Sequence, residues 1–193
     1  MARRRTASRI PLPADSPETV VRQSDPLIRP TGADDLDVVG AIYAHYVEAG
    51  VATFELVAPD AAEWRRRFVA VRDAGLPFLT AMLDGRVVGY AYCGPWKTRP
   101  AYRHTVEDSI YVAPDAAGRG IGGQLLDALL EHCAAAGVRE VIAVIVDSGD
   151  VASLALHRDR GFVDAGRLTR VGFKHGRWLD TVLLQRSLAA QPS

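Results

Sequence analysis

The apolar residues of this chain recur at two spacings, one typical of helices and one typical of strands. Apolar side chains at intervals of three and four residues predict amphipathic helices, and they occur in residues 36–49, 60–73, 121–136 and 151–160. Short alternating or continuous apolar runs predict strands, and they cover residues 26–30, 77–83, 86–93, 105–112, 139–146, 162–171 and 178–188. The resulting order, βααβββαβαββ, predicts an α/β fold with a mixed sheet.

Turn residues support these boundaries. Asp84-Gly85 lies between two strand runs and is a strong hairpin signal. Gly161 follows a predicted helix at the place where glycine commonly ends one. Lys174 and His175 fall in the turn of the last predicted hairpin, so we expect both to be exposed.

Composition limits the classes of protein to which the chain can belong. With 193 residues, 48% hydrophobic and 24% charged, it can form one domain with a full core. The net charge of +0 gives no general attraction to nucleic acid or to an anionic membrane. No apolar run approaches the length of a membrane span. We expect Cys93 and Cys133 to be buried small hydrophobes rather than partners in a disulfide.

Residues 1–25 differ from the rest of the chain. They open with Met1-Ala2-Arg3-Arg4-Arg5 and show no apolar periodicity. The arginines suggest a twin-arginine export signal or a nucleic-acid-binding arm, and an upstream start codon is a further explanation. An export signal needs an apolar region, which Pro11 and Pro13 interrupt here. We therefore interpret residues 1–25 as a disordered basic extension and residues 26–190 as the folded domain.

A glycine-rich loop between the strand at 105–112 and the helix at 121–136 carries the clearest chemical signal. Glycines occupy positions 118, 120, 122 and 123. Because they lack Cβ atoms, their N–H groups can converge on an anion, and the positive end of the helix dipole adds to the attraction. The loop has neither the Lys-Ser/Thr ending of a Walker A loop nor the full dinucleotide spacing. It therefore predicts a different kind of phosphate or pyrophosphate site.

This loop resembles the pyrophosphate loop of the GNAT superfamily of acyl-CoA-dependent N-acetyltransferases, written Gln/Arg-x-x-Gly-x-Gly/Ala. Other segments resemble one family within it, the phosphinothricin/methionine sulfoximine N-acetyltransferases. These segments are residues 53–55, 91–102, 105–112, 143–145, 156–157 with 161–162, and 172–176 with Trp178 and Asp180. The most specific are Pro95-Trp96-Lys97-x-Arg99-x-x-Tyr102 and Thr105-Val106-Glu107.

The resemblance implies a GNAT fold, in which a mixed, mostly antiparallel central sheet has helices on both faces. It implies acetyl transfer from acetyl-CoA, a cosubstrate, directly to the primary amine of a small amino acid. The family's substrates, phosphinothricin and methionine sulfoximine, are zwitterions that resemble glutamate. The family also implies a homodimer. We expect a cytoplasmic enzyme that uses no metal and, given the zero net charge and the lack of a membrane-spanning run, has neither nucleic acid nor membrane as a partner.

Two residues are candidates for the catalytic proton transfers. By resemblance, Glu107 is the general base for the acceptor ammonium; a mid-strand charge is costly without a role, and the alternative is a structural salt bridge. His157 lies where many superfamily members have the tyrosine that protonates the leaving thiolate; the alternative is a helix histidine bonded to a neighbour. Asp108 is expected on the opposite face of the strand from Glu107. A larger role for Asp108 than for Glu107 in catalysis would show that this assignment of faces is wrong.

The resemblance also assigns the binding residues. Those expected to bind coenzyme A are Tyr111, Val112, Ala117, Gly118, Arg119, Gly120, Ile121, Gly122, Gly123, Asp150 and Ser153. Those expected to bind the acceptor are Phe54, Glu55, Trp96, Lys97, Arg99 and Tyr102. Arg99 suits an anionic group because its guanidinium can donate two parallel hydrogen bonds. Ala117 and Asp150 depart from the family pattern, which has Gln or Arg and Asn at these positions.

Two other functions stay open. The acceptor could be a polyamine, an aminoglycoside or a protein N-terminus. A polycation calls for several carboxylates, yet the loop at 96–104 contains Lys97, Arg99 and Arg103 and no carboxylate. The departures at Ala117 and Asp150 suggest instead a module that binds coenzyme A without turnover.

Overall fold

A seven-stranded mixed sheet forms the centre of the chain in the computed structural model, which describes residues 25–149 and 151–188. The strands are β1 (Leu27–Pro30), β2 (Phe78–Leu83), β3 (Arg86–Pro95), β4 (Thr105–Val112), β5 (Glu140–Val146), β6 (Val163–Lys174) and β7 (Arg177–Ser187). The α-helices of these described ranges are α1 (Leu36–Ala49), α2 (Ala61–Asp73), α3 (Ile121–Ala135) and α4 (Ala152–Arg158). The strands lie in the order β1-β2-β3-β4-β5-β7-β6, and β4 and β5 are parallel whereas the other neighbours are antiparallel. The predicted α/β fold is confirmed.

The helices bury an apolar cluster on each face of the sheet. On one face, called the α3 face, Leu125 of α3 packs in a cluster that includes Val106 of β4. On the other, called the α1/α2 face, Trp64 of α2 packs in a cluster that Tyr111 of β4 adjoins. Successive side chains of a strand point to opposite faces. The even-numbered residues of β4 therefore face α3, and the odd-numbered ones face α1 and α2.

The parallel strands β4 and β5 part within their length. Their last residue pair joins Glu107 to Ile142. Beyond it, β4 stays paired with β3 as far as Val112, and β5 stays paired with β7 as far as Val146. Within the described chain, no ladder pair joins residues 108–112 to β5. The two strands therefore open into a gap whose vertex lies at Glu107.

The hairpin of β6 and β7 extends further than predicted and packs against the loop between α1 and α2. Lys174, at the end of β6, is only 2% exposed. Its Nζ donates a hydrogen bond to the carbonyl oxygen of Thr53, 2.9 Å away. The predicted exposure of Lys174 is therefore wrong, because a distant loop covers the hairpin end. His175 is exposed, as predicted.

Cys93 and Cys133 are buried free thiols with their Sγ atoms 3.2 Å apart, so both are buried as predicted. The described helices include none that is long and apolar enough to cross a membrane. Residues 1–24 lie outside the described residues, so the interpretation of the N-terminal extension stays a prediction.

Candidate active site

The gap between β4 and β5 opens into a cleft with a volume of ≈ 840 Å³. Its walls come from both strands, from the starts of α3 and α4, and from the loop between α1 and α2. Most of the predicted site residues line it: Phe54, Glu55, Glu107, Tyr111, Val112, Ala117, Gly118, Gly120, Ile121, Gly122, Gly123, Ser153 and His157. The fold thus gathers residues from distant parts of the chain around one cavity.

The glycine loop leaves backbone N–H groups beside the cleft at the start of α3. Gly118 and Gly120 both have a φ of +75°, a left-handed conformation that other residues rarely adopt. The Gln124 N–H bonds to the Gly120 carbonyl at 3.2 Å, and no side chain of a described residue caps the helix. The N–H groups of residues 121–123 are therefore available to an anion such as a pyrophosphate.

Gly123 allows Arg160, which follows α4, to lie close to α3. A Cβ on Gly123 would overlap the guanidinium of Arg160, whereas a Cβ on Gly122 would make an ordinary contact with Leu156 at 3.6 Å. Arg160 donates to the carbonyl oxygen of Gly123 at 3.1 Å and to Oδ1 of Asp127 at 2.8 Å. This packing fixes the position of the glycine loop relative to α4.

For three of the residues expected to bind coenzyme A, the structure shows no polar side chain at the cleft. Ala117 lines the cleft, but it can offer only backbone polar groups. Arg119 is exposed and lies outside the cleft lining. Asp150 lies outside the described residues, and its contact with coenzyme A stays a prediction.

Glu107 lies at the vertex of the gap, on the α1/α2 face of β4. Its half-buried side chain lines the cleft together with Tyr92 and Ser109. Burial raises the pKa of Glu107 above the ordinary range of a carboxyl group, the charge of Asp108 raises this pKa further, and Lys97 opposes the shift. A carboxylate with a raised pKa accepts a proton more readily near neutral pH. Glu107 is therefore suited to act as a general base.

Asp108 lies on the α3 face, as predicted, and forms a buried ion pair with His157 of α4. His157 Nε2 lies 2.9 Å from Oδ2 of Asp108, and its Nδ1 lies 2.7 Å from the carbonyl oxygen of Ser153. Both ring nitrogens face acceptors, so we assign a proton to each. Burial by itself lowers the pKa of His157, but the hydrogen bond and charge of Asp108 outweigh burial and raise it. His157 thus bonds to a neighbour and also lines the cleft.

The loop between α1 and α2 brings Phe54 and Glu55 to the cleft. The hydroxyl groups of Thr53 and Tyr43 share a hydrogen bond of 2.6 Å, which fixes the loop to α1. The ring of Phe54 lies directly over Gly172 of β6, where a Cβ would overlap it. Contacts with α1 and with β6 therefore both fix this wall of the cleft.

Arg67 of α2 is a cleft residue that sequence reasoning misses. Its Nη2 lies 2.8 Å from Oε1 of Glu55, and its Nε donates to Oε1 of Glu63 at 2.7 Å. The run Arg65-Arg66-Arg67 looks like a solvated helix face. However, Arg67 follows the buried Trp64 by three residues, which places both on one side of the helix. That spacing is the signal that could have identified it.

The residues predicted to bind the acceptor from the loop between β3 and β4 lie outside the cleft lining. Lys97 places its Nζ 4.4 Å from the ring centre of Trp96. Arg99 is exposed, and Tyr102 is 42% exposed. The described chain therefore does not bring these four side chains together with Glu107, although the charge of Lys97 acts on it.

The fold and the cleft together define a class of protein. A gap between parallel strands can accept an extended chain, the glycine loop offers N–H groups to a pyrophosphate, and a carboxylate stands at the vertex. These are the parts of a transferase that takes an acyl group from coenzyme A.

Comparison with known proteins identifies the family. The model of the acetyltransferase (GNAT) family matches residues 39–162, and the chain belongs to this family. A phosphinothricin N-acetyltransferase of Alcaligenes faecalis is 53% identical over 163 residues, 84% of this chain and 83% of that protein. An L-methionine sulfoximine/L-methionine sulfone acetyltransferase of Pseudomonas paraeruginosa is 41% identical over 162 residues, 83% of this chain and 94% of that protein.

A solved structure agrees with these relatives. The structure of a GNAT superfamily phosphinothricin acetyltransferase from Sinorhizobium meliloti in complex with AcCoA has a TM-score of 0.82 to this chain. The two share 43% sequence identity, and the match covers 88% of this chain and 94% of that one. The predicted family and cosubstrate are confirmed: the protein is an acetyl-CoA-dependent N-acetyltransferase.

Proposed function

We propose that this enzyme acetylates the primary amine of a small glutamate-like amino acid of the phosphinothricin or methionine sulfoximine type. The observation that carries the proposal is the identity of 53% and 41%, over 84% and 83% of this chain, with two enzymes named for those substrates. The charged pair of Glu55 and Arg67 in the cleft wall supports an acceptor that itself carries both charges.

Glu107 acts as the general base of the reaction. An α-ammonium group must lose a proton before its nitrogen can attack a thioester, because amine pKa values lie above neutral pH. Glu107 takes this proton directly or through one water molecule. The raised pKa of Glu107 and its place at the vertex of the gap support this role.

His157 acts as the general acid for the sulfur of coenzyme A. The thiol pKa is about 8.5, so the departing thiolate needs only modest help. The two hydrogen bonds of His157 support the role, because both favour a ring that carries a proton.

The acceptor's anionic groups need a cation in the site. The family resemblance assigns Arg99, with Lys97 near it, whereas Arg67 is the arginine that lines the cleft. A guanidinium pairs with a carboxylate or phosphinate through two hydrogen bonds and would orient the amine toward Glu107. Phe54 would pack against the short aliphatic part of the acceptor.

Coenzyme A occupies the gap between β4 and β5. The N–H groups of residues 121–123 hold its pyrophosphate. Tyr111, Val112 and Ser153, which line the cleft, border its extended arm. When bound, acetyl-CoA supplies the activated acetyl group.

We also propose that the enzyme is a homodimer in the cytoplasm, where acetyl-CoA and amino acids are both available. Apolar side chains are exposed on β6 and at the end of its hairpin: Val163, Leu168, Val171, Phe173 and Trp178. A patch of this kind is typical of an interaction surface. Sedimentation of a monomer at micromolar concentration would contradict the dimer.

A competition among amines tests the proposed function. Thiol release from acetyl-CoA is compared, as kcat/KM, for phosphinothricin, methionine sulfoximine, glutamate, a polyamine, an aminoglycoside and a peptide with a free N-terminus. The two glutamate analogues should give the highest values. Preference for the polyamine, the aminoglycoside or the peptide would establish a different acceptor. Binding of coenzyme A without turnover on any amine would establish a module that has lost catalysis.

A further inference from the structure

The ion pair of Asp108 and His157 is costly for the fold. The side chains are 2% and 5% exposed, and Oδ1 of Asp108 has no hydrogen-bond partner among the described residues. Removing a charge from water costs on the order of several kcal/mol, and a pair with an unsatisfied atom recovers this cost poorly. A buried charged pair in a cleft wall therefore indicates a role in the reaction.

Glu107 and Asp108 are neighbouring carboxylates of β4, and their side chains lie on opposite sides of the cleft. Glu107 points toward the α1/α2 face, where Phe54 and Glu55 form the wall. Asp108 points toward the α3 face, where the glycine loop and α4 lie. The ion pair with His157 is therefore on the side of the cleft that receives coenzyme A, and Glu107 is on the side that receives the amine.

We propose that Asp108 is a positioning residue, which holds His157 as an imidazolium and keeps its proton on the coenzyme side of the cleft for the departing sulfur. This proposal rests on the proposed function, because a leaving thiolate arises only when a thioester is the acyl donor.

Acetylation removes two protons from the α-ammonium group of the acceptor. Glu107 takes the first before attack and passes it to water, and it takes the second once the nitrogen has formed the new C–N bond. When the C–S bond breaks, the sulfur keeps the electron pair and takes the proton held between His157 and Asp108. A neutral imidazole then lies beside an ionised carboxylate. Water returns a proton to His157 and accepts one from Glu107 before the next turnover.

Asp108 is the group that keeps His157 charged. Burial and the charge of Arg160 lower the pKa of His157, whereas Asp108 and the carbonyl oxygen of Ser153 raise it. Phe162 presents no charge and packs edge-on against the imidazole, with 5.0 Å between ring centres. Without the carboxylate of Asp108, the effect of burial would prevail and the ring would lose its proton at lower pH.

The other titratable groups around Asp108 are two thiols and a carboxylate. Cys93 is its partner across β3 and β4, and Cys133 lies behind Cys93. The hydrogen bond with Cys133 and burial raise the pKa of the Cys93 thiol well above its ordinary value, so it stays neutral. Glu107 is the neighbour on the other face. Loss of the Asp108 charge therefore lowers the pKa of both His157 and Glu107. Ionisation of Glu107 sets the acidic limb of the pH profile of kcat, and loss of the proton from His157 sets the basic limb.

The substitution Asp108→Asn tests the proposal, because it preserves the size of the side chain and removes its charge. The pH profile of kcat is measured for both proteins with the best acceptor. Because a positioned acid contributes about 10²-fold or more, we expect kcat to fall by on the order of 10- to 100-fold. The basic limb should move to lower pH by about one unit or more. The KM for acetyl-CoA should change little.

The matched control is Asp164→Asn, which removes another carboxylate paired with α4, at 2.9 Å from Arg158 on the surface. It should leave both limbs in place. Asp108→Glu keeps the charge and should restore the basic limb at least in part. An unmoved basic limb in Asp108→Asn, or a shift of the acidic limb alone, would overturn the proposal.

Titration of the His157 ring by NMR gives a readout that does not depend on turnover. We expect the ring to titrate above about 6.5, the ordinary histidine value, in the wild type and below it in Asp108→Asn. If the variant does not fold, the wild-type titration decides, and a value at or below the ordinary one contradicts the proposal. If no amino acid is acetylated, the proposed function fails, while this titration still tests Asp108.

Discussion

The ammonium group of Lys174 donates a hydrogen bond to the carbonyl oxygen of Thr53, 2.9 Å away in space and 121 positions earlier in the chain. This bond ties the hairpin of β6 and β7 to the loop that carries Phe54 and Glu55. Burial lowers the pKa of Lys174, and the charge of Glu55 opposes the shift. One buried lysine thus fixes a wall of the acceptor side of the cleft.

Replacing Lys174 by methionine should loosen this wall. Lys174→Met preserves the apolar stem but leaves the Thr53 carbonyl without its donor, which costs about 1–3 kcal/mol. We expect lower stability in urea and a larger rise in the acceptor KM than in the acetyl-CoA KM. Arg177→Met removes an exposed cation from the same hairpin and is the control. Equal changes in the two KM values would contradict a specific role in the acceptor wall.

Glu107→Gln should lower kcat by on the order of 10²-fold or more with little change in acetyl-CoA affinity, because a base is lost and the shape is kept. Since the pKa of Glu107 is raised, activity of the wild type should fall with decreasing pH before an ordinary glutamate would become protonated. Steady-state rates across pH measure both effects. The exposed Glu131→Gln should leave the profile unchanged. Turnover of the Glu107 variant close to wild type at every pH would remove this residue from the mechanism.

If Arg99 binds the acceptor's anionic group, as the family resemblance implies, Arg99→Ala should raise the acceptor KM by about 10-fold or more, because a charge-assisted hydrogen bond contributes about 1.5–3 kcal/mol. The acetyl-CoA KM should stay nearly constant. The informative comparison is Arg67→Lys, which alters the arginine that lines the cleft. If the acceptor KM responds to Arg67 and not to Arg99, the anion site lies on α2.

Gly120→Ala should weaken binding of coenzyme A. A residue with a Cβ at this positive φ costs roughly 1–2 kcal/mol, so the loop would change shape to avoid the strain. Calorimetry with coenzyme A measures the affinity. Gly85 has a φ of +77° in the turn between β2 and β3, outside the cleft lining. Gly85→Ala should therefore cost similar stability without loss of affinity, and equal losses would contradict a role of the loop in binding.

Protein stability should depend on pH through His157. Its folded-state pKa is raised above its unfolded value of about 6.5, so protonation favours the folded protein. The contribution is fully present below the unfolded pKa and is lost as the pH rises through the folded-state pKa. Urea midpoints over this window should fall with rising pH in the wild type. In Asp108→Asn, where the folded-state pKa of His157 is expected below the unfolded value, this fall should be absent and the midpoint should instead rise with pH. Identical slopes in the two proteins would show that the ion pair does not contribute.

Sequence patterns are sufficient to place those site residues whose position depends on neighbours in the chain. Strand alternation placed Glu107 and Asp108 on opposite faces, and the glycine spacing located the start of α3.

Contacts between distant segments could not be predicted in this way. The burial of Lys174 depends on a loop 121 positions earlier, so its local sequence still looked like an exposed turn. The spacing of Arg67 from Trp64 indicates the side of the helix on which Arg67 lies, but it does not indicate the partner Glu55, which precedes the helix. The pairing of Asp108 with His157 joins positions 49 apart, and neither residue alone indicated the other.

The early end of the β4–β5 pairing places a strand edge inside the protein, at residues 108–112. Exposed edges normally invite another chain, but here the arm of coenzyme A, which carries amide groups, can align with β4 in the manner of a substitute strand. The cosubstrate is then a temporary member of the sheet. Since a ligand that binds only the folded state stabilises it, bound acetyl-CoA should hold the two halves of the sheet together and raise the stability of the folded enzyme.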